Sequence, residues 1–413
     1  MNPVASFFSK RPSSGDWIGG FSVALVLIPQ SIAYATIAGL PPSCGLFAAT
    51  LPLLVAAPLV SCPWIQTGPT ALASLLTAGA LASVSFQTPG AMLGAAAILA
   101  LIVGITRLLL GLARLGAFTK LLSKPVVLGF TTAAAILIIS SQLSKTLGTD
   151  NSESHVLVRA AMSVVSFRWS LEAIIVALAT GSIAYWGRKI HRLFPSIFIA
   201  VIAAILYSML RGYEGATVGA LPGGFLALGL NLPLQHLPTL LFPGIVIAFV
   251  GFAEPASIAM TLMEEENLTW NPNRELCGGG LANIMSGLIG GYPVGGSFSR
   301  TSINKFAGST SSWSGMITGA VVLSMLWLTP LLSPLPQAAL GAIIIVAVIR
   351  LLKFKEIWHT YQQKPIQGAV AIATMVATIV FAPRVERGIV FGASLGLLVN
   401  YIERKQEATD DED

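Results

Sequence analysis

Between Asp16 and Arg107 the sequence carries no Asp, Glu, Lys or Arg. Charge is scarce throughout: 10% of the 413 residues are charged, against about 25% in a typical soluble domain. Further charge-free runs cover Pro125–Ser144, Leu193–Leu210, Gly215–Ala253, Leu276–Ser299, Phe306–Ile349 and Pro365–Pro383. Runs of roughly twenty apolar residues each cross a bilayer as one helix. This distribution excludes an ordinary soluble fold. Cysteine is scarce too. Cys44, Cys62 and Cys277 lie apart in apolar surroundings. That excludes a disulfide framework and a cysteine metal site, and leaves small buried side chains as the reading. The four histidines, His155, His191, His236 and His359, fall in loops or at span ends. No Ser–His–Asp set or metal-ligand spacing accompanies them, so the sequence reads as that of a non-enzyme without a metal or other cofactor. No cleavable signal peptide is evident: Met1–Asp16 is polar and mildly basic, and the apolar stretch after it runs on too long.

What fills the chain instead is apolar sequence, 54% hydrophobic with mean hydropathy +0.78. Gly and Pro punctuate it at "GLPPS" (Gly39–Ser43), "SCPW" (Ser61–Trp64), "TGPT" (Thr67–Thr70) and "TPGA" (Thr88–Ala91). Fourteen spans are expected: 17–38, 43–60, 70–87, 91–113, 125–144, 170–188, 194–210, 242–262, 273–289, 299–307, 312–329, 337–350, 366–382 and 388–403. Several, notably 299–307, are too short to cross alone. An even number puts both termini on one side. If that side is the cytoplasm, sixteen Lys and Arg lie inside and six outside, with Arg107 and Arg300 at membrane depth. This is a positive-inside bias. The net charge of +6 then reflects topology and implies no nucleic acid. Glu264–Glu266 read as a solvated loop.

The chain looks internally repeated. "PQSIAY" (Pro29–Tyr34) lies in the first span and "PASIAM" (Pro255–Met260) in the eighth. Later in each half a polar, Gly/Pro-rich break opens a helix: "TGPTALAS" (Thr67–Ser74) and "GGSFSRTS" (Gly295–Ser302). The order of these motifs matches and their spacing is similar. Two copies of a seven-span unit must be inverted, because seven is odd. Inverted repeats with interrupted helices mark secondary transporters, with the site at the repeat interface near mid-membrane. The expected layout is a cytoplasmic tail 1–16, a first repeat 17–210, an extracytoplasmic connecting loop 211–241, a second repeat 242–403 and a cytoplasmic tail 404–413.

Irregular backbone at membrane depth must be buried in protein or line water. A helix that begins there presents unpaired N–H groups and the positive end of its macrodipole. Two such starts facing each other form an anion site. Thr70 and Ser299 suit the N-cap role. Arg300 adds a full charge with several donors, a match for an oxyanion. The alternatives for Arg300 are snorkelling to the cytoplasmic surface or a structural pair with Glu254. Arg107 has no helix break around it and reads as structural or interfacial. Glu254, in "VGFAEPAS", is the only acid placed within the apolar interior of a span. At membrane depth it is a natural proton carrier, or a sodium ligand if more oxygens converge. Gln30 and Tyr34 offer an amide and a ring on the matching stretch of the first span. Core packing is the alternative for Tyr34.

At these residues the sequence resembles the sulfate permease (SulP) family of anion transporters. The resemblance rests on "ALVLIPQSIAYATIAGLPPSCGLFAA" (Ala24–Ala49), "TGPTALASLL", "VGFAEPASIA", "PVGGSFSRTSIN" and "LLSKPVVLGF" (Leu121–Phe130), and covers nearly the whole chain. It implies an all-α polytopic membrane protein of fourteen segments in two inverted seven-span repeats. Helices one to four and eight to eleven would form a substrate-carrying core against a gate of the rest. It implies substrate contacts at Gln30, Tyr34, Thr70, Ala71, Ser299 and Arg300, with Glu254 near the coupling site. The implied function is secondary active transport of a small anion of the sulfate, bicarbonate or dicarboxylate class. H+ or Na+ would be the coupling ion, and the setting a bacterial inner membrane. Many members dimerise, so a homodimer is a partner to expect. The family usually carries a cytoplasmic STAS domain after the last helix. Here only "ERKQEATDDED" follows, so the chain reads as a transmembrane domain without it. The rival readings are a chloride channel or exchanger on the same fold, a nucleobase permease, and a membrane-embedded enzyme.

Overall fold

In a bilayer, a helix satisfies its backbone N–H and C=O groups within one segment, which is why apolar sequence of this length folds as helices. The computed structural model describes residue 7 and residues 11–86, 88–117, 123–149, 155–191, 193–221 and 232–410. Lys10, Lys120 and Arg192, counted above as cytoplasmic, lie outside the described residues. So do most of the 1–16 tail, Leu121 and Leu122 of the fifth motif, 222–231 of the connecting loop and 411–413.

The first half contains α1 (Ser14–Ile37), α2 (Pro42–Ala48), α3 (Leu51–Ala56), α4 (Ala71–Leu81), α5 (Pro89–Leu112), α6 (Lys124–Leu147), α7 (Val156–Val165), α8 (Leu171–Ile190) and α9 (Ser196–Arg211). The second contains α10 (Leu237–Glu265), α11 (Pro272–Leu288), α12 (Phe298–Phe306), α13 (Trp313–Met325), α14 (Gln337–Val348), α15 (Phe354–Gln363), α16 (Pro365–Val380) and α17 (Val385–Asp410). Two strands of two residues, β1 (Thr67–Gly68) and β2 (Gly295–Gly296), precede α4 and α12. Among the described residues, six segments are long and apolar enough to cross a membrane: 14–37, 89–112, 124–147, 234–265, 313–332 and 337–363. The chain is an all-α integral membrane protein.

The structure differs from the expected layout in four places. The span 43–60 is broken at Ala49–Thr50 into α2 and α3, because Pro52 in the first turn of α3 has no N–H to continue a helix. Two expected loops are helical, α7 and α15. In α15, Phe354, Ile357, Trp358 and Tyr361 share one face and Lys353, Lys355 and Lys364 lie around it, the pattern of an interfacial helix. Glu264 and Glu265 form the last turn of α10, not a loop. Lys305 Nζ lies 2.9 Å from Glu265 and 3.1 Å from Glu266, so these exposed acids anchor the end of α12.

The helices pack in two sets. α1 lies against α2, α12 and α13; α5 lies against α10 and α11. Separately, α6 lies against α7, α14 and α16; α14 packs on α8 and α16 on α17. Asp16 holds the start of α1 in place. Its buried carboxylate accepts from the Ser13 N–H (2.9 Å), and from Ser309 Oγ (2.8 Å), the Thr310 and Ser311 N–H groups (2.9 Å each) and Ser311 Oγ (2.8 Å). This ties α1 to the turn between α12 and α13.

A close crossing joins α5 to α11. A Cβ at Gly104 would sit 2.6 Å from the Ile284 nitrogen and 2.7 Å from the Gly280 oxygen. A Cβ at Gly280 would sit 2.7 Å from the Leu108 nitrogen. Small residues allow this approach, which supplies dispersion contact where lipid offers no hydrophobic drive. Gly280→Val should therefore destabilise the protein by about 1–3 kcal/mol, the usual cost of overpacking. A fluorescence-detected melt in detergent reads the loss. A melting temperature equal to the parent's would show that the helices can separate without cost.

Candidate functional site

The two breaks flagged in the sequence meet. β1 pairs antiparallel with β2, Thr67 opposite Gly296 and Gly68 opposite Gly295. Because the strands are antiparallel, α4 and α12 leave the pair in opposite directions, and both helix starts flank one place. Glycine is required in this pair. A Cβ on Gly296 would sit 2.8 Å from Pro255 Cβ, and Gly68 has φ 158°. Further bonds lock the join. The Ser297 N–H donates to the Gln66 carbonyl at 3.3 Å. The Gln66 N–H donates to Thr301 Oγ1 at 3.2 Å. Asn304 Nδ2 donates to the Trp64 carbonyl at 3.0 Å and to Ser314 Oγ at 2.8 Å.

Thr70 caps α4: its Oγ1 accepts from the Ala73 N–H at 3.2 Å. Ala71 is the first residue of that helix and is buried. Ser299 does not cap α12. Ser297 occupies the cap position, without a side-chain capping bond, and Ser299 is the second helical residue, half-buried. The Gly-Gly pair lets the helix start earlier than the hydroxyl spacing suggested.

Arg300 is fully buried, which rules out snorkelling. Its Nη1 donates to the Pro69 carbonyl at 2.8 Å and its Nη2 to the Gln66 carbonyl at 3.5 Å. An arginine of α12 thus reaches across to the carbonyls just ahead of α4. Its Nε has no partner among the described residues. Glu254, half-buried on α10, lies near the Phe298 N–H at the start of α12 and within electrostatic reach of Arg300. The two are not an ion pair. The ion pairs among the described residues are those of Lys305 and Lys353. The Arg300 charge is thus bonded only to neutral carbonyls. A cavity of about 20 Å³ beside Glu254 is lined by Leu72 and Val250 on one side and by Val127, Phe130, Thr131 and Ile389 on the other. It lies where the two helix sets meet.

Gln30 follows Pro29 inside α1, and both amide atoms of its buried side chain lack a partner among the described residues. Tyr34, one turn on and on the same face, is buried within electrostatic reach of Arg300. The structure therefore brings Tyr34, Glu254 and Arg300 together at the join that Thr70 and Ala71 flank.

Sequence reasoning missed several members. Tyr292 is fully buried; its hydroxyl lies 3.1 Å from Ser74 Oγ and its carbonyl accepts from Ser286 Oγ at 2.7 Å. Asn283 grips Val294 from both sides of its peptide, at 2.9 and 3.0 Å. Asn283 is an isolated polar group in an apolar span, and Tyr292 lies just past that span in the lead-in to the second break. Glu254 is also not the most buried acid. Asp16, Glu275 and Glu386 are buried more deeply, each in the first turn of a helix, where the helix dipole favours a carboxylate. Glu275 in addition accepts from the Ser61 and Cys62 N–H groups of the loop after α3, at 3.0 Å each.

Comparison with known proteins matches residues 14–374 to the model of the sulfate permease family. A probable sulfate transporter of Mycobacterium tuberculosis is 34% identical over 383 residues, covering 90% of this chain and 68% of the relative. The chloroplastic sulfate transporter 4.1 of Arabidopsis thaliana is 30% identical over 397 residues, 92% of this chain and 57% of the relative. Among solved structures, the murine Solute Carrier 26 family member A9 anion transporter in its inward-facing state superposes with TM-score 0.88 at 22% identity, over 98% of this chain and 71% of that one. The transmembrane domain of the cyanobacterium bicarbonate transporter BicA gives 0.79 at 22% identity, over 89% and 96%.

Thr70 offers a local test of the site's architecture. Thr70→Ala should cost about 1 kcal/mol of stability through loss of the cap, and Thr70→Ser should restore most of it. Melting curves of the three proteins in one detergent decide this. Equal midpoints for alanine and serine would show that the hydroxyl does not support the helix start.

Proposed function

The chain belongs to the sulfate permease family, and on that footing we propose that it is a secondary active transporter moving a small anion of the sulfate, bicarbonate or dicarboxylate class by alternating access. The observation that carries this reading is the Arg300 charge, bonded only to carbonyls where two helices begin. Two helix starts, each the positive end of a helix dipole, and one guanidinium without a carboxylate partner among the described residues attract an anion and reject a neutral ligand. In this reading Thr70, Ala71 and Ser299 contribute backbone and hydroxyl donors. Arg300 supplies charge, while Gln30 and Tyr34 orient the bound ion. The proteins it resembles are named as transporters, and we read it as one rather than as an enzyme.

The finer picture follows from the same features. Fourteen spans would form two inverted seven-span repeats, the first over 17–210 and the second over 242–403, joined through the extracytoplasmic loop 211–241. The set built on α1, α5 and α10–α13 would be the substrate-carrying core, and the set built on α6, α8, α14, α16 and α17 the gate. Positive-inside bias supports two cytoplasmic termini. The mycobacterial relative supports a bacterial inner membrane. A homodimer is the expected assembly. Glu254, beside the boundary cavity and facing the start of α12, is positioned to carry the coupling H+ or to ligate Na+. A chloride channel or exchanger on this fold is the second reading, favoured by the same unpaired arginine.

Uptake of radiolabelled sulfate, bicarbonate and oxalate into proteoliposomes, with proton and sodium gradients imposed in turn, tests the proposal. Saturable, gradient-driven accumulation is expected. Flux linear in anion concentration without counterflow would favour a channel instead. Two variants sharpen this. Arg300→Ala should weaken affinity for divalent anions more than for monovalent ones, whereas equal affinity for all would assign Arg300 to structure alone. Glu254→Gln should lose proton-driven accumulation while anion counterflow persists. Undiminished accumulation would remove Glu254 from coupling.

A further inference from the structure

Arg107 is as buried as any cation in the described chain apart from Arg300, and it too has no carboxylate partner among the described residues. Its guanidinium spreads over three carbonyls: Nε to Ala248 at 3.0 Å, Nη1 to Val294 at 3.1 Å, and Nη2 to Ile247 at 3.4 Å. Its Cζ lies over the Phe252 ring, 5.9 Å from the ring centre. Val294 is the residue immediately before β2. Asn283, also fully buried, accepts the Val294 N–H at 2.9 Å and donates to the Val294 carbonyl at 3.0 Å. Its amide also donates to the Gly279 carbonyl at 2.7 Å.

Set beside Arg300, this contact is reciprocal. Arg300, from the second half, holds the Gln66 and Pro69 carbonyls ahead of α4. Arg107, from the first half, holds the Val294 carbonyl ahead of α12. We propose that Arg107 is a positioning residue of the anion site, which together with Asn283 fixes Val294 and, through β2, the start of α12. This rests on the transporter reading above. A buried cation bonded only to neutral carbonyls is costly to desolvate, so holding one peptide does not by itself account for an arginine. The fork does what a neutral amide or an ammonium cannot: it bridges the α10 backbone and the β2 lead-in at once. Gly251 fits the same device, since a Cβ there would meet Arg107 Nη2 at 2.8 Å. The tight crossing at Gly104 and Gly280 brings Arg107 and Asn283, each three residues further on, to the same peptide.

Two measurements on the full chain test the proposal. The first is hydrogen–deuterium exchange on peptides spanning 290–300 and 64–74. Arg107→Gln should speed exchange in 290–300 and leave 64–74 unchanged. The second is sulfate counterflow in proteoliposomes, resolved into KM and maximal rate. Arg107→Gln should raise KM by about tenfold, the scale of a lost charged hydrogen bond, with a much smaller change in maximal rate per folded protein. Unlike Arg300→Ala, it should keep the divalent-to-monovalent preference. Arg107→Lys should behave as the glutamine variant does. Asn283→Ala should share the phenotype, and the double variant should be no worse than the worse single, because both act on Val294. Unchanged exchange in 290–300, or a KM equal to the parent's with only less folded protein, overturns the proposal, as does full rescue by lysine. If Arg107→Gln does not fold, Asn283→Ala decides by the same two criteria. If the parent protein moves none of sulfate, bicarbonate and oxalate, the transporter reading falls, and the exchange measurement decides the role of Arg107.

Discussion

The rest of the site depends on one four-residue pairing, Thr67 and Gly68 against Gly295 and Gly296. Two strands of two residues would not hold in isolation. Here they persist because backbone that cannot reach water must find partners within the protein. Carbonyls flanking the pair are held by an arginine from the opposite half: Arg300 on Gln66 and Pro69, Arg107 on Val294. The join therefore ties the two helix starts to each other.

A consequence is that the polar groups of the site are not interchangeable. Arg300 spends two nitrogens on carbonyls and keeps Nε without a partner among the described residues. Glu254 is close enough to feel that charge without neutralising it. An anion and a coupling cation or proton could then act on the same small field. The cavity beside Glu254 touches both helix sets, so a change at the carboxyl reaches the boundary along which the sets would slide.

Much of this was legible in the sequence. The charge-free runs announce the membrane. The Pro, Gly and hydroxyl clusters at 67–70 and 295–299 announce interrupted helices, and Arg300 inside the second cluster announces a site. The pairing partner of each break was legible only as a repeat, since pairing is a long-range contact with no local code. The shift of the α12 cap from Ser299 to Ser297 escaped because several adjacent residues can cap and only the glycine conformation chooses among them. Asn283 escaped because a lone polar side chain in an apolar span gives no hint of its partner, and Tyr292, just past that span, because its Ser74 partner lies in the other half. Arg107 read as structural because no break surrounds it; the break it serves lies in the other half. The division of the second span at Thr50 and the amphipathic α15 follow from Pro52 and from a spaced apolar face, both visible in the sequence but neither marked by a long apolar run.

The central claim is that an anion sits between the starts of α4 and α12. Anomalous diffraction from crystals soaked in selenate, a heavier analogue of sulfate, tests it most directly. The account predicts a selenium peak within hydrogen-bond reach of the Ala71 and Phe298–Ser299 backbone and beside Arg300. A strong peak elsewhere in the membrane interior, with that join empty while selenate competes for transport, would contradict it.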